Sequence, residues 1–452
     1  MIYSSALFVF FAIFVVGVFH LLSSKWKVPW LVLASFYWYA SWEWQWAVVL
    51  FSILSVNYAV LWWLANRGNE RWRRLGDVLL ALDILVFLVL KWGKIGEFEF
   101  TTPYGTSFFM FILFAFLIDL KRAGSLSQFT DPGRFLLQGS FFPVLVGGPI
   151  ERAKTFQPQL HKDLKFRWGD VLGGVILFAY GFIKIALLSS TFLIFKSRSA
   201  LFAQDNMLWF VFLGIISTLQ AYVDFSSYCD MGRGVARCLG IQLSVNFRPF
   251  YYAKNPSDFW QRWNISLGLW IRDYISFPMM LRWGRSVSQS LILFVSFVIV
   301  GLWHGLTANW LYFGIFNGFM VISYTWLSRR LRWKGAGYFF SFLIFIGNGL
   351  LQQPETLQSL ATACGKFTWQ SLTWFSEQQF AFPVSPWFFP VLAGMFLLEG
   401  MLEFRPRWMS HLQKNLGVKI VLAALLILLF FFALDRNILV EQNHLPPAYF
   451  RI

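Results

Sequence analysis

Charge is the scarcest thing in this sequence. Only 13% of its 452 residues are Asp, Glu, Lys or Arg, about half the share of a soluble globular domain. That scarcity, set against 57% hydrophobic residues, excludes a soluble chain with a hydrated surface. Cysteine is equally sparse: Cys229, Cys238 and Cys364 form no CxxC pair, so neither a zinc site nor a disulfide framework is indicated. There is no Walker A loop, no GxSxG elbow, no HExxH helix and no internal repeat, which removes the common nucleotide, serine-hydrolase and zinc-peptidase readings. A basic leader and a small-residue cleavage site are missing ahead of the run from Ile2 to Leu22, which therefore reads as a first spanning helix and not as a removable signal.

What the sequence has in excess is aromatic and apolar. Aromatics make up 21%, with 54 Phe and 24 Trp, in keeping with a lipid-facing surface and interfacial belts. A bilayer-spanning helix needs about 20 mostly apolar residues. Candidate spans are Ser5–Leu22, Val28–Ala40, Ala47–Ala65, Val78–Leu90, Ser107–Leu120, Val171–Leu188, Met207–Val223, Ser288–Trp303, Ala308–Leu327, Tyr338–Leu351, Phe388–Gly400 and Lys419–Leu434. The expected fold is all-α: a single polytopic domain over 1–452 with about 11–12 crossings plus re-entrant or interfacial helices. The net charge of +16 does not point to nucleic acid, because the cations sit in short loops beside apolar runs. Clusters at Lys25/Lys27, Arg67–Arg74, Lys121/Arg122 and Arg329–Lys334 fall on one side of such a topology, which should be cytoplasmic.

Two polar stretches, Gly147–Asp170 and Asp224–Arg285, interrupt the pattern. In the second, Phe259, Trp260, Trp263, Leu267, Trp270 and Ile271 recur three or four apart, predicting an amphipathic interfacial or re-entrant helix with Arg262, Ser266 and Asp273 on its polar side. The Ser257-Asp258 pair is the expected N-cap. Among the five histidines, His20, His161, His411 and His444 sit at a span end or in polar loops. His304 stands in Gly301-Leu302-Trp303-His304-Gly305, between apolar segments, where an ionisable group is expensive unless it meets a partner or a cavity. Its neighbouring glycines allow a break or a close helix approach. The residues alone leave a packed structural histidine and a functional one equally open. Asp83 and Lys184, also in apolar runs, are expected to pair with each other, and Asp224 and Asp230 with Arg233, Arg237 or Arg248.

The run Asp258-Phe259-Trp260-Gln261-Arg262-Trp263-Asn264-Ile265-Ser266-Leu267-Gly268-Leu269-Trp270-Ile271-Arg272-Asp273-Tyr274 resembles the F-W-x-R-W-[HN]-x-S-L-x-x-W-x-R-D-Y signature of the membrane-bound O-acyltransferase (MBOAT) family. Trp303-His304-Gly305 is similar to that family's W-H-G motif. Phe141–Arg152, Asp224–Met231 and the closing Ala448–Ile452 are similar to its bacterial branch, which includes the membrane subunits of alginate O-acetylation and teichoic-acid D-alanylation. Many of those carry a second histidine where this chain has Asn264.

The resemblance implies acyl transfer from a thioester donor, acetyl-coenzyme A or an acyl carrier protein, to an extracytoplasmic envelope polysaccharide, in the inner membrane. It implies no tightly bound cofactor or metal, and an SGNH-like extracytoplasmic partner. His304 would act as general base or be transiently acylated, and Asn264, on the segment 224–285, would hold its tautomer or orient the acyl group, with His304 flanked by the helices of 286–328. Trp303, Trp263, Arg262, Ser266, Arg272 and Asp273 are the expected substrate or donor contacts, ion pairing being the alternative for Arg262, Arg272 and Asp273. D-alanyl transfer, lipid or protein acylation, a transporter relay through His304, Asp83 and Lys184, and a non-catalytic scaffold are the competing functions.

Overall fold

The computed structural model describes residues 5–67, 72–95, 98–99, 102–123, 131–161, 164–203, 207–284, 288–330, 335–352 and 388–404. The expected span Lys419–Leu434, residues 353–387, His411 and His444 lie outside them. The regular structure of the described residues is helical apart from a minimal antiparallel hairpin, Lys94–Ile95 with Phe98–Glu99. The described residues fall into two compact units: those within 1–182 and 228–245, and those within 183–227 and 246–404.

The first unit opens with α1 (Ala6–Leu21), whose N-cap Ser5 accepts from Phe8 N at 3.2 Å. α2 (Ser24–Ala40), α3 (Trp44–Arg67) and α4 (Trp72–Trp92) follow. Pro29 lies inside α2, where its missing N–H removes the bond that position would have made to Lys25 O. α5 (Thr106–Ala123) is apolar all round and buried nearly throughout, as expected of a core helix. Two short helices that periodicity did not predict, α6 (Pro132–Ser140) and α7 (Ala153–Leu160), flank the buried segment 141–151. That segment is held at Ser35, whose hydroxyl donates to Leu31 O (2.7 Å) and accepts from Phe142 N (3.1 Å). Phe8, Trp38 and Phe142 form the aromatic centre of the unit. Leu7, Phe10, Ile13 and Phe14 on α1, and Val56 and Trp62 on α3, remain exposed, as lipid-facing positions must.

Three described helices are long and apolar enough to cross a bilayer: Trp44–Asn66, Trp168–Ser197 and Trp209–Cys238. The second runs from α8 (Trp168–Lys184) into α9 (Ser190–Ala203) through a widened turn, Ile185–Ser189. The third lies in α10 (Met207–Cys238), which corrects the expected start of a polar stretch at Asp224. Helix continues for 14 more residues because Tyr228, Met231, Val235 and Ala236 still supply a buried face. Within the first unit, Cys229 Sγ donates to Gly147 O at 3.2 Å, and Asp230 pairs with Arg233 as expected, whereas Arg237 meets Asp170.

In the second unit the amphipathic segment is broken into pieces: α11 (Pro256–Trp260), α12 (Ile265–Ile271), a widened turn Arg272–Ser276, and α13 (Phe277–Trp283). The helical spacing was right and its continuity was not. Asn264 enters the left-handed region (φ 43°, ψ 55°), which ends one helix and starts the next. The cap of α11 is Asn255, which accepts from Asp258 N (2.9 Å), while Asp258 reaches back to Lys254 N (2.9 Å). This reciprocal box displaces the expected Ser257-Asp258 cap. α14 (Gln289–His304) and α15 (Ala308–Arg330) form a tight hairpin, followed by α16 (Ala336–Leu351). α15 and α16 are joined by Asn317 Nδ2, which donates to Asn348 Oδ1 at 2.7 Å. The last described helix is α17 (Phe388–Phe404).

Candidate functional site

His304 is the last residue of α14. Gly305 follows in extended backbone, so the helix stops there and turns back into α15. The return is close because glycine allows it: a Cβ on Gly301 would overlap Trp310 O and lie 2.9 Å from Gly314 N, and a Cβ on Gly314 would lie 2.6 Å from Phe297 O. Such close backbone approach through small residues is the standard way to pack helices in lipid. The contact brings Trp310 under the imidazole, stacked at 4.5 Å and 16°. Trp303 lies at 4.4 Å and Phe313 edge-on at 5.6 Å. His304 Nδ1 is buried. The outcome is an imidazole at a helix terminus, boxed by three aromatic rings.

Asn264 sits at the bend between α11 and α12 and is 5% exposed. Its Oδ1 is buried and has no hydrogen-bond partner among the described residues. The bend is fixed by Asn246, fully buried, which sequence reasoning missed. Its backbone carbonyl accepts from Ile265 N (2.9 Å), and its Oδ1 accepts from both Ser266 N (2.9 Å) and Ser266 Oγ (2.8 Å). A third bond, Arg248 N to Arg262 O at 2.8 Å, ties the two strands of chain on either side. Trp260, one turn before Asn264, packs on Phe297 of α14 (5.4 Å) and on Phe313 of α15 (6.2 Å). Phe313 is thus a common neighbour of Trp260 and His304.

The other predicted positions divide by environment. Trp263 is core, set among Tyr222, Phe247, Phe250 and Phe259. Arg262 pairs with Asp258 and with Glu403 (2.8 Å each) and donates to Pro249 O. Burial by itself would lower the Arg262 pKa, but the two carboxylates reverse this and hold it above the ordinary guanidinium value. Arg272 is largely exposed and hydrogen-bonds Asp273 at 2.6 Å, which likewise raises its pKa. Ser266 serves the bend.

Asp83 and Lys184 do not pair. Asp83 Oδ1 accepts from Asn57 Nδ2 at 3.0 Å. Lys184 instead donates to Ser226 Oγ (2.9 Å) and lies 3.9 Å from Glu399 of α17. Glu399 also accepts from Tyr222 (2.7 Å) and Tyr251. Glu399 and Glu403 share one face of α17 and grip the segment 249–262 from the side. Two carboxylates four apart in an otherwise apolar run were the available signal. Asp224 hydrogen-bonds Ser189 and faces Lys196, rather than pairing with an arginine as expected. His20 bonds Cys238 O and His161 bonds Arg134, as structural histidines do.

Residues 32–351 match the model of the membrane-bound O-acyltransferase family. The chain is 28% identical to the probable alginate O-acetylase AlgI of Pseudomonas fluorescens over 335 residues, 70% of this chain and 65% of that protein. It is 27% identical to the peptidoglycan O-acetyltransferase of Helicobacter pylori (67% and 65%), and 25% identical to the teichoic acid D-alanyltransferase of Streptococcus thermophilus (62% and 72%). The chain spans 65% of the length of the first of these relatives. The family match covers more than half of the sequence, including both the bend at Asn264 and the end of α14 at His304. The chain belongs to the MBOAT family.

Proposed function

We propose that this chain is an acyltransferase of the bacterial inner membrane, crossing it many times, that passes an acetyl group from a cytoplasmic thioester toward an extracytoplasmic polysaccharide in exopolysaccharide biosynthesis. The reading rests on His304, an imidazole at the end of an apolar helix with Nδ1 buried and three aromatic rings around it. The neutral ring is the form that can take a proton from an attacking hydroxyl, and general-base help of this kind is worth roughly 10²–10⁴-fold. Asn264 supplies an amide that orients the reacting groups. Trp303 borders the reacting centre, while Arg262, Trp263 and Ser266 support the bend. Arg272, largely exposed and aligned by the half-buried carboxylate of Asp273, is suited to meet the phosphates of a coenzyme A or carrier-protein arm. Acceptors of related chemistry, alginate, peptidoglycan and teichoic acid, appear in the names of the relatives, and acetyl recurs in two of the three. An extracytoplasmic SGNH-like protein would complete delivery to the polymer.

The test is transfer of label from acetyl-coenzyme A in membranes containing the wild type or His304→Ala at equal inserted amounts. The variant is expected to lose transfer by at least ~100-fold. Transfer at the wild-type rate would refute the base assignment, and with it the mechanism.

A further inference from the structure

We infer that Trp260 is a further catalytic residue, whose indole N–H donates a hydrogen bond to the thioester carbonyl and stabilises the oxyanion formed there. This rests on the acyl-transfer reading above. A buried tryptophan N–H normally finds an acceptor, and one that does not calls for an explanation. Trp260 Nε1 is buried with no hydrogen-bond partner among the described residues. One helical turn away, Asn264 Oδ1, on a side chain more than nine-tenths buried, is in the same condition. Two orphaned polar atoms of opposite character thus lie within one bend of the signature segment, each costing about 1–3 kcal/mol when left unpaired. The ring of Trp260 is held rather than loose, against Phe297 and Phe313, and Phe313 in turn contacts His304. The indole is therefore held against a ring that also packs on the base, Phe313, in aromatic surroundings whose low polarity strengthens any bond it makes.

The chemistry balances without another reagent. The acceptor hydroxyl oxygen forms a bond to the thioester carbon while its proton passes to His304. The carbonyl π electrons move to oxygen, and the indole N–H receives that charge. Collapse breaks the C–S bond, and the departing thiolate takes the proton back from the imidazolium. An N–H serves this step better than a cationic donor would, because the site need not bury a charge in the resting state.

The probe is S-acetonyl-coenzyme A, a thioether ketone that keeps the carbonyl but cannot transfer its acyl group, labelled with ¹³C at that carbonyl. Bound to the full-length protein in detergent, its carbonyl stretch should lie below the value in water-free solvent. It should return toward that value in Trp260→Phe and in a variant carrying benzothienylalanine at 260, a near-isostere with sulfur in place of N–H, with binding ~3- to 10-fold weaker. Labelled transfer should fall ~100-fold in kcat with the donor KM within ~3-fold, the signature of a group that acts in the transition state. His304→Ala should keep the shifted stretch and lose transfer. An unshifted band in the wild type, or the same band in wild type and both variants, overturns the assignment to Trp260 while leaving His304 in place. Retained transfer in His304→Ala overturns the parent reading, and no binding of the ketone to wild type overturns the coenzyme A donor on which both depend.

Discussion

The Lys184–Glu399 pair is buried on both sides, at 2% and 8% side-chain exposure, and its partners are distributed unequally. Glu399 accepts from two phenols, Tyr222 and Tyr251, besides facing the ammonium. Lys184 has the Ser226 hydroxyl and the face of Tyr222, 5.7 Å from the ring centre. Replacing Glu399 with alanine removes the counter-charge and orphans two buried hydroxyls. Breaking a buried pair from one side costs about 3–5 kcal/mol, and the loss should fall in the upper part of that range here. Lys184→Met keeps most of the side-chain volume and leaves Glu399 its two phenol donors, each worth about 1.5–3 kcal/mol to a charged acceptor, so its cost should be smaller by about 1–2 kcal/mol. Lys184→Met combined with Glu399→Ala removes both charges, so neither is left buried alone, and should recover about 1–2 kcal/mol relative to the sum of the singles. Equilibrium unfolding in mixed micelles, followed by tryptophan fluorescence, gives the three values. A cost below about 1 kcal/mol for Glu399→Ala, or strict additivity in the double variant, would refute the view that this network anchors α17 to Lys184, Tyr222 and Tyr251.

Gly301→Ala introduces a methyl group against Trp310 O and the Gly314 backbone, so it should cost about 1–3 kcal/mol and reduce labelled transfer by displacing His304 three residues later. Wild-type transfer in that variant would mean the hairpin can open without moving the imidazole. In the first unit, Glu151 is 3% exposed, and burial raises its pKa despite the donors Ser244 N (2.5 Å), Ser244 Oγ and Thr155 Oγ1. A raised carboxyl pKa stabilises the fold most fully below the ordinary value near 4.5, and that contribution is lost as pH rises through the folded value. Thermal midpoints should therefore decline over that interval in wild type and flatten in Glu151→Gln; an unchanged pH slope in the variant would show that another group carries it.

How much of this was legible follows from the range of each interaction. Helix positions were readable because lipid imposes long apolar runs. α1, α3, α14 and α16 begin and end within a few residues of the runs that predicted them. His304 was readable because a lone imidazole between apolar segments is conspicuous. The breaks were not. Residues 259–271 carry a continuous helical pattern, and what interrupts it is the set of bonds from Asn246, roughly twenty residues upstream, which no periodicity encodes. The grip of Glu399 and Glu403 spans well over a hundred residues of sequence, and the partners of Lys184 and Asp83 were misassigned for the same reason: charge complementarity identifies candidates, while only the fold decides which come together.

Asn264 joins these two kinds of information. It is the only non-glycine residue with positive φ among the described positions, and asparagine tolerates that conformation better than most side chains. A glycine would relieve the backbone more cheaply, and a helix running straight through would satisfy the local pattern better still. The segment instead keeps an amide at the strained position, buries it, leaves its oxygen without a partner among the described residues, and commits Asn246 and Ser266 to holding the bend. Strain maintained by that many bonds is intelligible if the amide itself is required, because a purely structural kink would need the bend and not the side chain. The outlier thus points to Asn264 independently of the signature in which it sits.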